Sequence, residues 1–88
     1  QEGMNCFSRG NAYRGGKQYE LAVADYQTAI RLRPTDSDSY YNLAISLKHL
    51  GRKAEAKQAY QLFLQYAPED DPDLETAKQQ IIELGGPF

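Results

Sequence analysis

Two stretches of the chain, ADYQTAIRLRP at residues 24–34 and QAYQLFLQYAP at 58–68, follow one pattern at an interval of 34 residues. Tyr26 and Tyr60, Gln27 and Gln61, and Pro34 and Pro68 all keep that interval. A fixed period of this length constrains the fold more than any local motif. It implies one supersecondary unit stacked on a copy of itself, because a unit this short cannot bury its apolar face alone. The chain has 88 residues, 41% of them hydrophobic, which leaves room for one small core. The expected organisation is a single domain over 1–88, with a first repeat at 3–36, a second at 37–70 and a closing helix at 71–84.

The second copy shows what the unit contains. In SYYNLAISLKHLG, residues 39–51, the residues Tyr40, Leu43, Ala44, Leu47 and Leu50 fall three and four apart, the spacing of one helix face. Asp36 or Ser37 suits the cap at its start and Gly51 its stop. The run KAEAKQAYQLFLQYAP repeats the device with Ala56, Ala59, Tyr60, Phe63, Leu64 and Ala67 before Pro68, which cannot continue a helix. In the first copy the same two helices are predicted over roughly 4–14 and 19–32, with Gly15 and Gly16 turning the chain. Their apolar stripe is Cys6, Gly10, Tyr13, Ala22, Tyr26, Ala29 and Ile30. Beyond Pro68, Asp71 as a cap, Pro72 at the first helical position and Gly85 as a stop predict a fifth helix. Leu74, Ala77, Ile81, Ile82 and Leu84 form its inner side, and Lys78, Gln79 and Glu83 give it the polar outside that the last helix of a stack requires.

Small residues allow the helices to approach: Ala22 and Ala56 lie one turn before Tyr26 and Tyr60. At this point the chain resembles the tetratricopeptide repeat family. That family's pattern runs aromatic, two residues, Leu-Gly, two residues, Tyr, then Ala, three residues, aromatic, then Pro. The second copy supplies Tyr40, Leu43, Ala44, Leu47, Ala56, Tyr60 and Pro68. The first supplies Cys6, Arg9, Gly10, Tyr13, Ala22, Tyr26 and Pro34, and departs at the first aromatic and at the leucine. Arg9, standing where a packed residue is usual, is expected to snorkel or to pair with a segment upstream. Leu74, Ala77 and Ile81 carry the register onward, so the resemblance covers residues 3–84. It implies an all-α fold, a right-handed α-α superhelix or solenoid of antiparallel helix pairs with five helices.

Composition narrows the function classes. Ten basic against 12 acidic residues, net −2, supply no broad positive face for phosphates, so nucleic acid is not an expected partner. Cys6 and His49, the only cysteine and the only histidine, offer neither a disulfide nor a zinc site. Cys6 reads as a small core residue rather than a nucleophile. The acidic stretches EDDPDLE and DSDS lack the spaced ligands and central glycine of a calcium loop, and read as helix-start charges. No run is apolar enough to span a bilayer and no leader is evident, so the expectation is a cytoplasmic protein excised from something longer, with Gln1 to Gly3 at the cut. No catalytic kit and no cofactor motif is present, so an enzyme is not expected.

In the family, the first helix of each repeat lines a concave groove that holds an extended peptide or, less often, a helix. Transferred by register, the groove presents Phe7, Asn11 and Arg14 from the first helix and Tyr41, Asn42, Ile45, Lys48 and His49 from the third, with Glu75, Thr76 and Gln79 from the fifth. The two asparagines suit a peptide backbone, Phe7, Tyr41 and Ile45 an apolar shelf, and Arg14, Lys48 and His49 an acidic side chain or terminal carboxylate. Asn11 and Asn42 also match the asparagines of carboxylate-clamp repeats that hold chaperone tails. The basic clamp positions, however, fall on Phe7, Pro72 and Thr76, so that variant is not expected. The leading expectation is a non-catalytic module that binds a protein or peptide. The alternative is a self-associating scaffold fragment, a homo-oligomer joined through the edges that two repeats leave open.

Overall fold

The structure, a computed structural model, describes residues 5–86, and the expected helix start at residue 4 and repeat start at residue 3 lie outside them. The described residues form five helices and no strand: α1 (Cys6–Gly15), α2 (Tyr19–Leu32), α3 (Ser37–His49), α4 (Lys53–Tyr66) and α5 (Leu74–Glu83). None is long and apolar enough to cross a membrane. Each helix packs chiefly on its neighbour in sequence, and α1 also touches α3. This is the order of an all-α helical repeat, and its core is shared along the stack.

Tyr26, Phe63 and Ile81, from α2, α4 and α5, are each at most 1% exposed and belong to one continuous cluster. Burying a side chain of this kind contributes about 1.5–3 kcal/mol. Ala22, Ala44, Ala56 and Ala77 are wholly buried and set the helix spacing. Gly10 of α1 goes further, since a Cβ there would sit 2.9 Å from the Tyr26 ring.

The first helices end alike. Lys17, Gly51 and Gly85, each 34 residues after the last, have φ of 63°, 78° and 115°. The amides of Gln18, Arg52 and Gly86 reach back to the carbonyls of Tyr13, Leu47 and Ile81 at 2.8, 3.0 and 2.7 Å, closing the same left-handed cap three times. The turn expected at Gly15 and Gly16 falls at Gly16 and Lys17, directly after α1 ends, and its left-handed residue is Lys17. Gly16 has φ −89°, which any residue adopts.

Four other details differ from the sequence reading. Asn5 caps α1 by accepting from the Ser8 amide at 2.8 Å. Helix α5 begins at Leu74, because Asp71 accepts from the Asp73 amide at 2.8 Å and holds residues 71–73 in a turn that leaves Pro72 ahead of the helix. Ile82 is 55% exposed: Ala77 and Ile81 define the buried line, and the next residue is turned about 100° away. Arg9 finds its partner inside the first repeat, where its Nε and one terminal nitrogen each donate to Asp25 of α2 at 2.8 Å. That double hydrogen bond, and then the carboxylate's charge, hold the guanidinium above its ordinary pKa.

Candidate functional site

The residues that periodicity turns off the core stripe of α1 and α3 do not stand free. Asn11 and Arg14, one turn apart on α1, meet at the hydroxyl of Tyr26. The phenol donates to Asn11 Oδ1 at 2.5 Å and accepts from Arg14 Nε at 3.2 Å. Tyr26 itself is 0% exposed, so a core side chain fixes two surface groups. Burial raises its pKa, and the hydrogen bond from Arg14 opposes the rise. Asn11 keeps its amide hydrogens for another partner, and Arg14 keeps its two terminal nitrogens. Phe7, half-buried, tilts against the same ring with centroids 6.0 Å apart.

On α3 the pattern changes from polar to aromatic. Tyr41 lies 4.9 Å from Phe63 and meets Tyr60 edge-on at 5.9 Å. It is therefore half-buried and packed against the core. Asn42 donates to the Asp38 carbonyl at 3.0 Å, a bond within its own helix that leaves its oxygen free. Ile45 is half-buried beside them.

The expected cationic end is divided. Lys48 donates to Gln80 of α5, so the fifth helix reaches the third through Gln80 rather than through Gln79. His49 stacks on Tyr19, the first residue of α2, at 4.5 Å and 5°, and so turns away from Lys48 toward the start of the second helix. Glu75, Thr76 and Gln79 are exposed, and Glu75 lies 3.6 Å from Lys78.

The opposite end of the row is acidic. Burial raises the Asp38 pKa, and the like charges of Asp36, Asp71 and Asp73 raise it further. Burial, then Asp73 and Asp71, likewise raise the Tyr41 phenol. The starts of α3 and α5 thus bring four aspartates near one another, while Arg14 and Lys48 mark the ends of α1 and α3. Among the described residues, no three His, Cys, Asp or Glu side chains are grouped so as to hold a metal ion. The row offers amides, aromatic faces and separated charges, groups suited to holding a polar chain.

Sequence reasoning missed Tyr26, Tyr60 and Gln80 as parts of this row, and Tyr19 as the partner of His49. The two tyrosines were visible as conspicuous members of the repeat, but periodicity assigns their rings to the core and says nothing of their hydroxyls.

Residues 10–51 match the family profile described as TPR repeat, and residues 37–70 match the one described as Tetratricopeptide repeat. The chain is also similar to the cytochrome c-type biogenesis protein CycH of Rhizobium meliloti (strain 1021). It is 37% identical to that protein over 73 residues, which is 83% of this chain and 19% of the relative. The chain thus spans about a fifth of the length of the curated relative it matches.

Proposed function

Because the chain belongs to the tetratricopeptide repeat family, we propose that it is a non-catalytic interaction module whose α1–α3–α5 side forms a groove for a peptide segment of a protein partner. The observation that carries this reading is the chain of bonds from Arg14 through Tyr26 to Asn11. A buried phenol orients an amide and a guanidinium in advance, so less side-chain freedom is lost when a partner arrives. The partner's acidic group or carboxyl terminus docks near Arg14 and Lys48, and its basic residues near Asp38, Asp71 and Asp73. Similarity to a protein of cytochrome c-type biogenesis supports that process as the setting.

Asn11→Ala combined with Arg14→Ala tests the groove. Dodecapeptides selected from a random display library on the parent protein should lose at least tenfold in affinity for the double variant by calorimetry, since hot-spot losses of about 2 kcal/mol are typical. Unchanged affinity would overturn the groove reading. Self-association is the second reading, favoured by Leu32 and Ile82, which are 73% and 55% exposed. Sedimentation across a concentration series separates the two, because only self-association gives a mass that rises without a ligand.

A further inference from the structure

The same aromatic is used differently in the two repeats. The Tyr26 hydroxyl is saturated by Asn11 and Arg14. Tyr60, 34 residues later in α4, is buried almost as deeply at 2% exposure. The residues that answer Asn11 and Arg14 are Ile45, which has no acceptor, and Lys48, which is bonded to Gln80. Among the described residues nothing hydrogen-bonds the Tyr60 hydroxyl, while every wholly buried side-chain nitrogen or oxygen has a partner. The oxygen is therefore a polar atom of a nearly enclosed ring that no described residue satisfies. A phenol almost completely enclosed, with its single polar atom unmatched by any described residue, is a prepared position for a hydrogen bond from outside.

We propose that the Tyr60 hydroxyl is a subsite of the groove that donates a hydrogen bond to a main-chain carbonyl of the bound peptide. This rests on the groove reading and names the contact made by its α3–α4 half. The phenol is a donor throughout the neutral range, because burial pushes its pKa up to about 12. The acceptor is neutral rather than a carboxylate, because Tyr41 and the charge of Glu83 also oppose negative charge there. Tyr41, edge-on at 5.9 Å, and Ile45 at the position answering Asn11 give the subsite an apolar rim suited to the flat face of a peptide unit.

Two measurements test this, one with a ligand and one without. For the library-selected dodecapeptides, Tyr60→Phe should weaken binding about three- to tenfold. Replacing one amide of the peptide by an ester, whose carbonyl is the weaker acceptor, should cost the parent protein more than it costs the Tyr60→Phe protein. Loss with Asn11→Ala and Arg14→Ala but not with Tyr60→Phe would overturn the subsite and leave the groove standing. Loss with neither variant, or a selection that yields no binder, would overturn both. Without ligand, Ile45→Asn places in the second repeat the acceptor that Asn11 provides in the first. It should lower the melting temperature less when Tyr60 is present than when it is combined with Tyr60→Phe, a coupling of a few degrees. Additive shifts would show that the hydroxyl does not face this side, and would overturn the proposal independently of any peptide.

Discussion

In the first repeat α1 and α2 are joined by an exposed Arg9 that reaches a buried Asp25, whereas the second repeat has Leu43 and Ala59 at the same two positions. Asp25 is 6% exposed and Ala59 3%, so both versions bury the position that faces the neighbouring helix. The larger group moves as well: Ala29 in the first repeat corresponds to Phe63 in the second, which is 1% exposed. One repeat is joined by a directed polar pair and the other by apolar volume. The comparison teaches that the backbone of the pair is set by period and caps, while the chemistry of its interior is free to differ.

The largest test of that difference is volume. Phe63→Ala makes the second repeat as small at this point as the first, and should cost about 3–5 kcal/mol in equilibrium denaturation, since Tyr41 and the neighbouring core lose their contact. A cost below about 1 kcal/mol would mean that the second repeat is not held by apolar packing.

The polar pair is tested by making the first repeat resemble the second. Asp25→Ala and Arg9→Leu should each lower the melting temperature, the latter because it leaves Asp25 buried without a partner. The combined change reproduces Leu43 and Ala59, and should recover part of the loss, because no carboxylate is then left buried without a partner. Failure of the double variant to recover would mean that the pair is needed for more than filling the interface.

Alkaline unfolding sharpens the comparison at the hydroxyls. The Tyr60 phenol has a native pKa of about 12 against 10.0 when unfolded, so between those values the native state binds more protons than the unfolded state. Its contribution is fully present below about pH 10 and is lost as pH rises toward 12. Tyr26, Tyr40 and Tyr41 shift in the same direction. Tyr60→Phe should make the fall in stability between pH 10 and 12 less steep, and a melting curve of unchanged slope would show that Tyr60 does not contribute to it.

The smallest expected effect lies in the turns. Lys17 holds φ 63° where the second repeat has Gly51 at 78°. Lys17→Gly should stabilise by about 0.5–1 kcal/mol, the relief of a left-handed side-chain conformation less the added freedom of glycine when unfolded. A loss on thermal melting would show that the Lys17 side chain makes a compensating contact.

Most of the architecture was legible because a period of 34 and helix spacing are statements about neighbours along the chain. The helix order, the tight alanine contacts and the stop at Gly51 all follow from them. What escaped depends on side chains that meet across helices. Arg9 and Asp25 are 16 residues apart, and no local rule joins them. Their signal was that both depart together from the residues 34 positions later, Leu43 and Ala59. The expected row of Phe7, Asn11, Arg14, Tyr41, Asn42, Ile45, Lys48 and His49 is drawn from register alone. Register could not show that a buried phenol joins two of its members or that an aromatic of α2 draws His49 aside. The start of α5 was misplaced because Asp71 and Pro72 fit a helix start and a turn equally well, and the bond between Asp71 and the Asp73 amide decides for the turn.

Neighbouring repeats of the same shape along one chain also create a hazard during folding: the first helix of one repeat can dock on the second helix of the other. The Arg9–Asp25 pair discriminates between these outcomes. If α1 settled on α4, Arg9 would face Ala59 with nothing to receive its guanidinium, and if α3 settled on α2, Leu43 would be laid against a carboxylate. Both mismatched pairings lose the double hydrogen bond that only the native order makes. The pair would therefore act as a matching key that favours the native order of the repeated helices, whether within one chain or between two molecules folding side by side.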